Sequence, residues 1–144
     1  MEEKKRIGLT GLFMLVVSIL YLVLMLTLFK ACGAKEDGSF MTCHWAHQTL
    51  LVFAVLLIVL SLLHLIFGDA RRKQGIAIAV IAVCFAAMLI PGRMISLCMM
   101  ADMRCRKWMV PGNVVLTVVM IAAAALDIFV QVGRGKKTRP PKRP

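Results

Sequence analysis

Apolar residues fall in four long runs, Ile7–Phe29, Thr49–Phe67, Ile76–Ile90 and Val114–Val132, separated by short polar stretches. A bilayer-spanning helix needs roughly 17–25 mostly apolar residues at about 1.5 Å each. The first, second and fourth runs meet that length directly. The third is short before Pro91. It reaches the length by continuing through Met94-Ile95-Ser96-Leu97 with a kink at Pro91, because proline removes a backbone donor and crowds the preceding turn. Backbone in lipid must satisfy its own hydrogen bonds, which favours the kinked helix over the alternative, a stop at Pro91 followed by a short re-entrant stretch. In the kinked reading Arg93 snorkels toward the headgroups. The expected fold is an all-α integral membrane four-helix bundle.

Three connections follow from the same pattern: residues 30–48, 68–75 and 98–113. Gly33 and Asp37-Gly38 mark turns in the first, and Pro111-Gly112-Asn113 closes the last. Residues 1–132 read as a single four-helix transmembrane domain. Residues 133–144 hold Gly, Pro, Lys and Arg with no apolar side chain to bury, and read as a disordered basic cytoplasmic tail. The first two runs are rich in leucine. The last two carry Ala77, Ala79, Ala82, Ala86, Ala87 and Ala122 to Ala125. Small residues let membrane helices approach closely, so the third and fourth helices are expected to pack tightly.

Charge sets the orientation. Lys4, Lys5, Arg6, Arg71, Arg72, Lys73, Arg134, Lys136, Lys137, Arg139, Lys142 and Arg143 lie on one side, twelve in all. The other side has six: Lys30, Lys35, Arg93, Arg104, Arg106 and Lys107. The positive-inside rule places both termini in the cytoplasm and makes this a multi-pass protein of the cytoplasmic (inner) membrane. Trp45 and Trp108 stand beside the outer span ends, where aromatic belt residues belong. A chain 60% hydrophobic, with a mean hydropathy of +0.85, is not a soluble domain. Its net charge of +11 needs no nucleic acid. Basic flanks pin topology and attract anionic lipid, so the first partner is the bilayer. The first run is too long for a signal-peptide core and reads as a retained span. Phe29-Lys30-Ala31-Cys32 is a poor lipoprotein cleavage site because of Phe29 and Lys30.

The outer connections hold the chemistry. Met41, Cys43, His44 and His47 lie in the first, and Cys98, Met99, Met100, Met103 and Cys105 in the third. Cys84, inside the third run, reads as an inert small hydrophobe. Cys32, Cys43, Cys98 and Cys105 are disulfide candidates in an oxidising compartment, with three pairings open. Cys98 and Cys105 on one continuous helix would be separated by about 10.5 Å, beyond a disulfide's reach of roughly 4.4–6.8 Å. They pair only if the loop turns back. Thiolates and thioethers also select Cu(I), or zinc when thiolates dominate, which makes Cys43, His44, Met103 and Cys105 a candidate metal set. Haem is a further option through His44 or His47. Redox-active thiols are a third reading, although the chain has no CxxC.

Two ionisable residues lie within spans. His64 is about three residues from the cytoplasmic end of its helix, and Asp127 about five from the end of its own. Groups at that depth are costly and usually have a partner. The depths agree to within a turn, so His64 and Asp127 form a candidate intramembrane polar pair. The alternative is that each reaches headgroup water alone.

Met41-Thr42-Cys43-His44-Trp45, and Ile90-Pro91 followed by Cys98-Met99-Met100-Ala101-Asp102-Met103-Arg104-Cys105, resemble the hallmark of an uncharacterised family of small prokaryotic four-span membrane proteins. That family is known only as a domain of unknown function. Cys32 lies outside the motif, which sets a Cys32 disulfide apart from the family pattern. The resemblance implies no activity; families of this kind often accompany ABC-type exporters. The layout is also similar to four-span thiol oxidases and quinone reductases, which pair cysteines in each outer loop but carry the CxxC absent here. Small multidrug exporters match poorly, since the acid expected in their first helix is missing. The reading is an accessory or sensing subunit, possible partner an ABC-type transporter, with an outer Cys/His/Met cluster. The alternatives are a quinone-linked thiol oxidoreductase and a Cu(I)- or haem-handling protein.

Overall fold

The structure, a computed structural model, describes residues 2–29, 37–40, 42–95 and 105–137, with the side chains of 2–8, 105 and 134–137 left aside. Among the described residues four long helices make up the fold, α1 (Glu2–Thr27), α2 (Thr42–Ile66), α3 (Ala70–Leu89) and α4 (Val110–Lys137), with a wide helical turn at Cys105–Met109 leading into α4. All four contain stretches long and apolar enough to cross a membrane. They run up, down, up, down, so both termini share one end, called here the terminal end. The two long connections share the other, the loop end. α1 packs most extensively on α2, and α3 on α4; contacts of α2 with α3 and of α1 with α4 close the ring.

Inward-facing side chains recur three and four residues apart. On α1 they are Met14, Ser18, Tyr21 and Met25; on α3, Lys73, Ala77, Val80, Cys84 and Ala87. α2 contributes Cys43, Ala46, His47, Leu50, Ala54, Leu57, Ser61 and His64. α4 contributes Asn113, Thr117, Met120, Ala124, Asp127 and Gln131. A spacing that averages 3.5 residues is the seam of left-handed bundle packing. Many large apolar residues point the other way. Phe13, Val16, Val52, Val55, Phe85, Leu126 and Phe129 are all exposed on the outer surface. Lipid solvates them as well as a neighbouring helix would, so membrane helices associate through close packing and interhelical hydrogen bonds. Small and polar residues therefore share the interior with Met14, Tyr21, Met25, Leu50, Leu57, Met109 and Met120.

The connections differ from the expected loops. α2 begins at Thr42, so Cys43, His44 and His47 are helical rather than part of a loop reaching residue 48. The turn between α2 and α3 is only Phe67, Gly68 and Asp69. Asp69 precedes α3 without capping it, and its carboxylate meets exposed Arg72 at 3.4 Å. α4 starts at Val110, which brings Asn113 into the helix, and its helical backbone runs on to Lys137.

The kinked third helix does not form. α3 ends at Leu89, and Ile90–Met94 make a wide turn closed by Ile95 N–H donating to Ile90 O at 3.0 Å. Pro91 (φ −75°, ψ 114°) and Gly92 (φ 91°, ψ −16°) occupy the two central positions of a type II turn. Proline presets the first position, and glycine takes the positive φ that the second demands. The Pro-Gly dipeptide reads as a stop; Pro91 alone read as a kink.

Candidate functional site

Polar side chains run along the bundle interior, and several of them tie one helix to another. Nearest the terminal end, His64 Nε2 donates to Asp127 Oδ2 at 2.8 Å, joining α2 to α4 across the bundle. Gln131, one turn further along α4, donates from Nε2 to the same oxygen. The seven-residue repeat explains the meeting. His64 follows Ser61 on the inward face of α2, and Asp127 and Gln131 occupy successive inward positions of α4. His64 is fully buried and Asp127 is 2% exposed. Among the described residues, neither His64 Nδ1 nor Gln131 Oε1 finds a hydrogen-bond partner. α1 closes over this cluster at Gly11. A Cβ there would lie 2.7 Å from Leu65 Cδ2 and 3.1 Å from His64 Nδ1, so a larger residue would push the Leu65 side chain aside.

Nearer the middle, the Ser18 and Ser61 hydroxyls lie 3.1 Å apart and link α1 to α2. Ser18 also donates to its own Met14 carbonyl at 2.8 Å, so its backbone bond is local. Next comes the tightest junction. Tyr21 Oη donates to Asn113 Oδ1 at 2.6 Å, and Asn113 Nδ2 donates to Ala87 O at 3.0 Å. One amide thus joins α1, α3 and α4. The Ala87 carbonyl belongs to the last turn of α3, where Pro91 supplies no N–H to bond it. Thr117 donates back to Asn113 O at 2.7 Å. At the loop end, His47 Nε2 contacts Met25 O at 2.8 Å, tying α2 to the last turns of α1.

The outer candidates separate on this frame. Cys43 and His47 are four residues apart on α2 and share its inward face, both buried. His44 is turned away from them. It is half-buried, stacks on Phe40 with ring centroids 4.3 Å apart, and meets Trp45 edge-on at 6.0 Å. Neighbours in a helix point about 100° apart, so Cys43 and His44 do not converge as a pair from the same chain segment. His47 contacts the Met25 carbonyl through Nε2, so Nδ1 is the ring nitrogen left over. Met41, Met103, Cys32 and Cys98 lie outside the described residues, as does the Cys105 side chain. Cys43 and Cys84 are both buried and not joined to each other. Among the described residues no three of His, Cys, Asp and Glu gather closely enough to hold a metal ion.

A family model described as a domain of unknown function (DUF4418) matches residues 14–130. The chain belongs to that family. The matched region begins at Met14 and ends at Val130, so it takes in the inward faces of all four helices, with His64 and Asp127 among them. No curated protein and no solved structure is similar enough to match.

Sequence reasoning singled out His64 and Asp127 but passed over Ser18, Tyr21, Gln131, Ser61, Asn113 and Thr117. The signal was available. Inside the apolar runs, polar residues recur on the same three-and-four spacing as the small ones, and a lipid-facing polar group at that depth is costly.

Proposed function

We propose that this small integral membrane protein is an accessory or sensing subunit of the cytoplasmic membrane. Its input is the loop-end Cys/His/Met cluster, and its reader is the polar column of the bundle. The observation that carries this reading is the inward placement of Cys43 and His47 on one face of α2, with His47 clamping α1 at the Met25 carbonyl. A thiol displayed to solvent can change state without consequence for the helices. A thiol at the head of a hydrogen-bonded helix interface cannot. Binding of Cu(I) or zinc at Cys43 with Met103 and Cys105, or a disulfide there, alters the α1–α2 contact where the column begins. The excess of Lys and Arg on the terminal side supports an arrangement with both termini in the cytoplasm and both cysteine loops outside. The partner suggested by the family resemblance is an ABC-type transporter. The basic residues that follow Gly133 in the sequence would attract anionic lipid or that partner's cytoplasmic face.

The test uses full-length protein purified without reductant. Metal and haem content and thiol count are measured, and amide exchange is followed with and without reduction and Cu(I) loading. The expected result is a change in exchange around Met25 and the start of α2 that His47→Ala abolishes while metal or thiol content stays the same. Exchange indifferent to the state of the cysteines rejects the sensing role. Thiol turnover that needs a quinone, survives His47→Ala and disappears in Cys43→Ser supports an oxidoreductase instead. Topology is checked separately: Asp37→Cys labels with an impermeant thiol reagent on intact cells, and Gly68→Cys labels only after lysis.

A further inference from the structure

The loop end carries a groove of about 730 Å³ between the last turns of α1 and the first turns of α4. Its floor is Phe29, whose ring lies over Gly112 so closely that a Cβ on that glycine would come within 2.3 Å of Phe29 Cζ. Its sides include Leu28, Val115 and Trp108, which are 65%, 61% and 59% exposed and face the bilayer side of the bundle. Pockets that bind small molecules specifically fall in the range of about 300–1,000 Å³. The lining is apolar except at one end. There Lys107 borders the groove and Arg106 precedes it, both with exposed side chains. Trp108 follows directly, and tryptophan settles at headgroup level.

We propose that this groove is a binding site for one anionic phospholipid, with an acyl chain along Phe29 and Val115 and the phosphate beside Arg106 and Lys107. Charge complementarity selects this occupant. An apolar trough alone suits any lipid tail, but Lys107 in its lining, with exposed Arg106 next to it in the chain, adds attraction only for a negative headgroup. A neutral isoprenoid quinone has the tail and lacks the charge. This site is independent of the sensing role and involves none of the outer cysteines.

Native mass spectrometry of the full chain in detergent, given equal phosphatidylglycerol and phosphatidylcholine, reads the site directly. One phosphatidylglycerol is expected to be retained over phosphatidylcholine by about 30-fold, the effect of two basic residues near a headgroup. Raising the salt concentration shrinks that preference in the unaltered protein. Arg106→Gln with Lys107→Gln brings the two lipids close to parity, whereas Val115→Trp, on an outward-facing side chain, removes retention of both. Equal retention of the two lipids by the unaltered protein overturns the proposal. So does a preference untouched by the double substitution, or displacement of phosphatidylglycerol by an equimolar isoprenoid quinone.

Discussion

Asp127→Ala removes the one acceptor shared by His64 and Gln131, and the effect can be worked out bond by bond. Two donors, His64 Nε2 and Gln131 Nε2, converge on Asp127 Oδ2 in a site where histidine is fully buried and aspartate 2% exposed. Breaking a buried pair in a water-soluble protein costs about 3–5 kcal/mol. The membrane value is smaller, because helices unfolded within the bilayer also find polar partners. Interhelical bonds there average about 0.6 kcal/mol and reach about 1.7. The membrane scale governs here, and two bonds place the loss for Asp127→Ala at about 1–3 kcal/mol. In a His64→Ala background one of the two bonds is already gone. The same substitution should then cost less, by a coupling of about 0.6–1.7 kcal/mol. Asp127→Asn keeps one acceptor oxygen at the same place and should cost less than alanine. Reversible unfolding in mixed micelles, or steric trapping in bilayers, measures all four corners of the cycle. Effects that add to within about 0.3 kcal/mol would show that the two side chains contribute separately, and would remove the cross-bundle tie from the account.

Three other perturbations test different parts of the structure. Tyr21→Phe strips Asn113 Oδ1 of its donor and should destabilise by about 1–3 kcal/mol, whereas Tyr21→Phe with Asn113→Leu should cost less than the two single changes together; unfolding free energies that simply add would mean the amide does not join three helices. Gly112→Ala drives a methyl into the Phe29 ring and should cost about 1–3 kcal/mol, with Phe29→Leu restoring part of it; a neutral Gly112→Ala in the same unfolding assay would refute the close approach. Gly92→Ala places a side chain at φ 91° in the type II turn and should lower stability by about 1–2 kcal/mol, while Arg93→Ala beside it should be nearly neutral; equal effects would argue against the turn.

Much of the architecture was legible before any coordinates. Run lengths identified four spans because the bilayer imposes one length on every crossing segment, and each apolar run falls on a helix, the first three running one or two residues past the helix end. His64 and Asp127 stand out because ionisable groups are rare at that depth, and their distances from the same bundle end agree to within a turn. Boundaries were less legible. Cys43, His44 and His47 sat in polar surroundings that looked like loop, yet Cys43 and His47 continue the inward face of α2 for another two turns. Hydropathy averages over a helix and cannot see one face of it extend beyond the apolar run. At Pro91 the competing evidence was one residue away, since Gly92 supplies the left-handed conformation that turns a kink into a stop.

The order and number of the spans, the small-residue character of α3 and α4, and the choice of polar residues within the runs were determined by the sequence itself. These depend on local hydrophobicity and on a repeat that any window of two turns reveals. Apart from His64 with Asp127, which polar group meets which was decided by the tertiary structure alone. Ser18 with Ser61, Tyr21 with Asn113, and Asn113 with the carbonyl exposed by Pro91 depend on ring order and axial offset between helices. At Gly11 the Leu65 side chain, and at Gly112 the Phe29 ring, occupy the space a side chain on the glycine would need. The directions of Cys43, His44 and His47 were decided the same way. The winding of α2 turned Cys43 and His47 into the bundle and His44 out toward Phe40, a difference of one residue that no composition or spacing rule could assign without knowing where the helix begins.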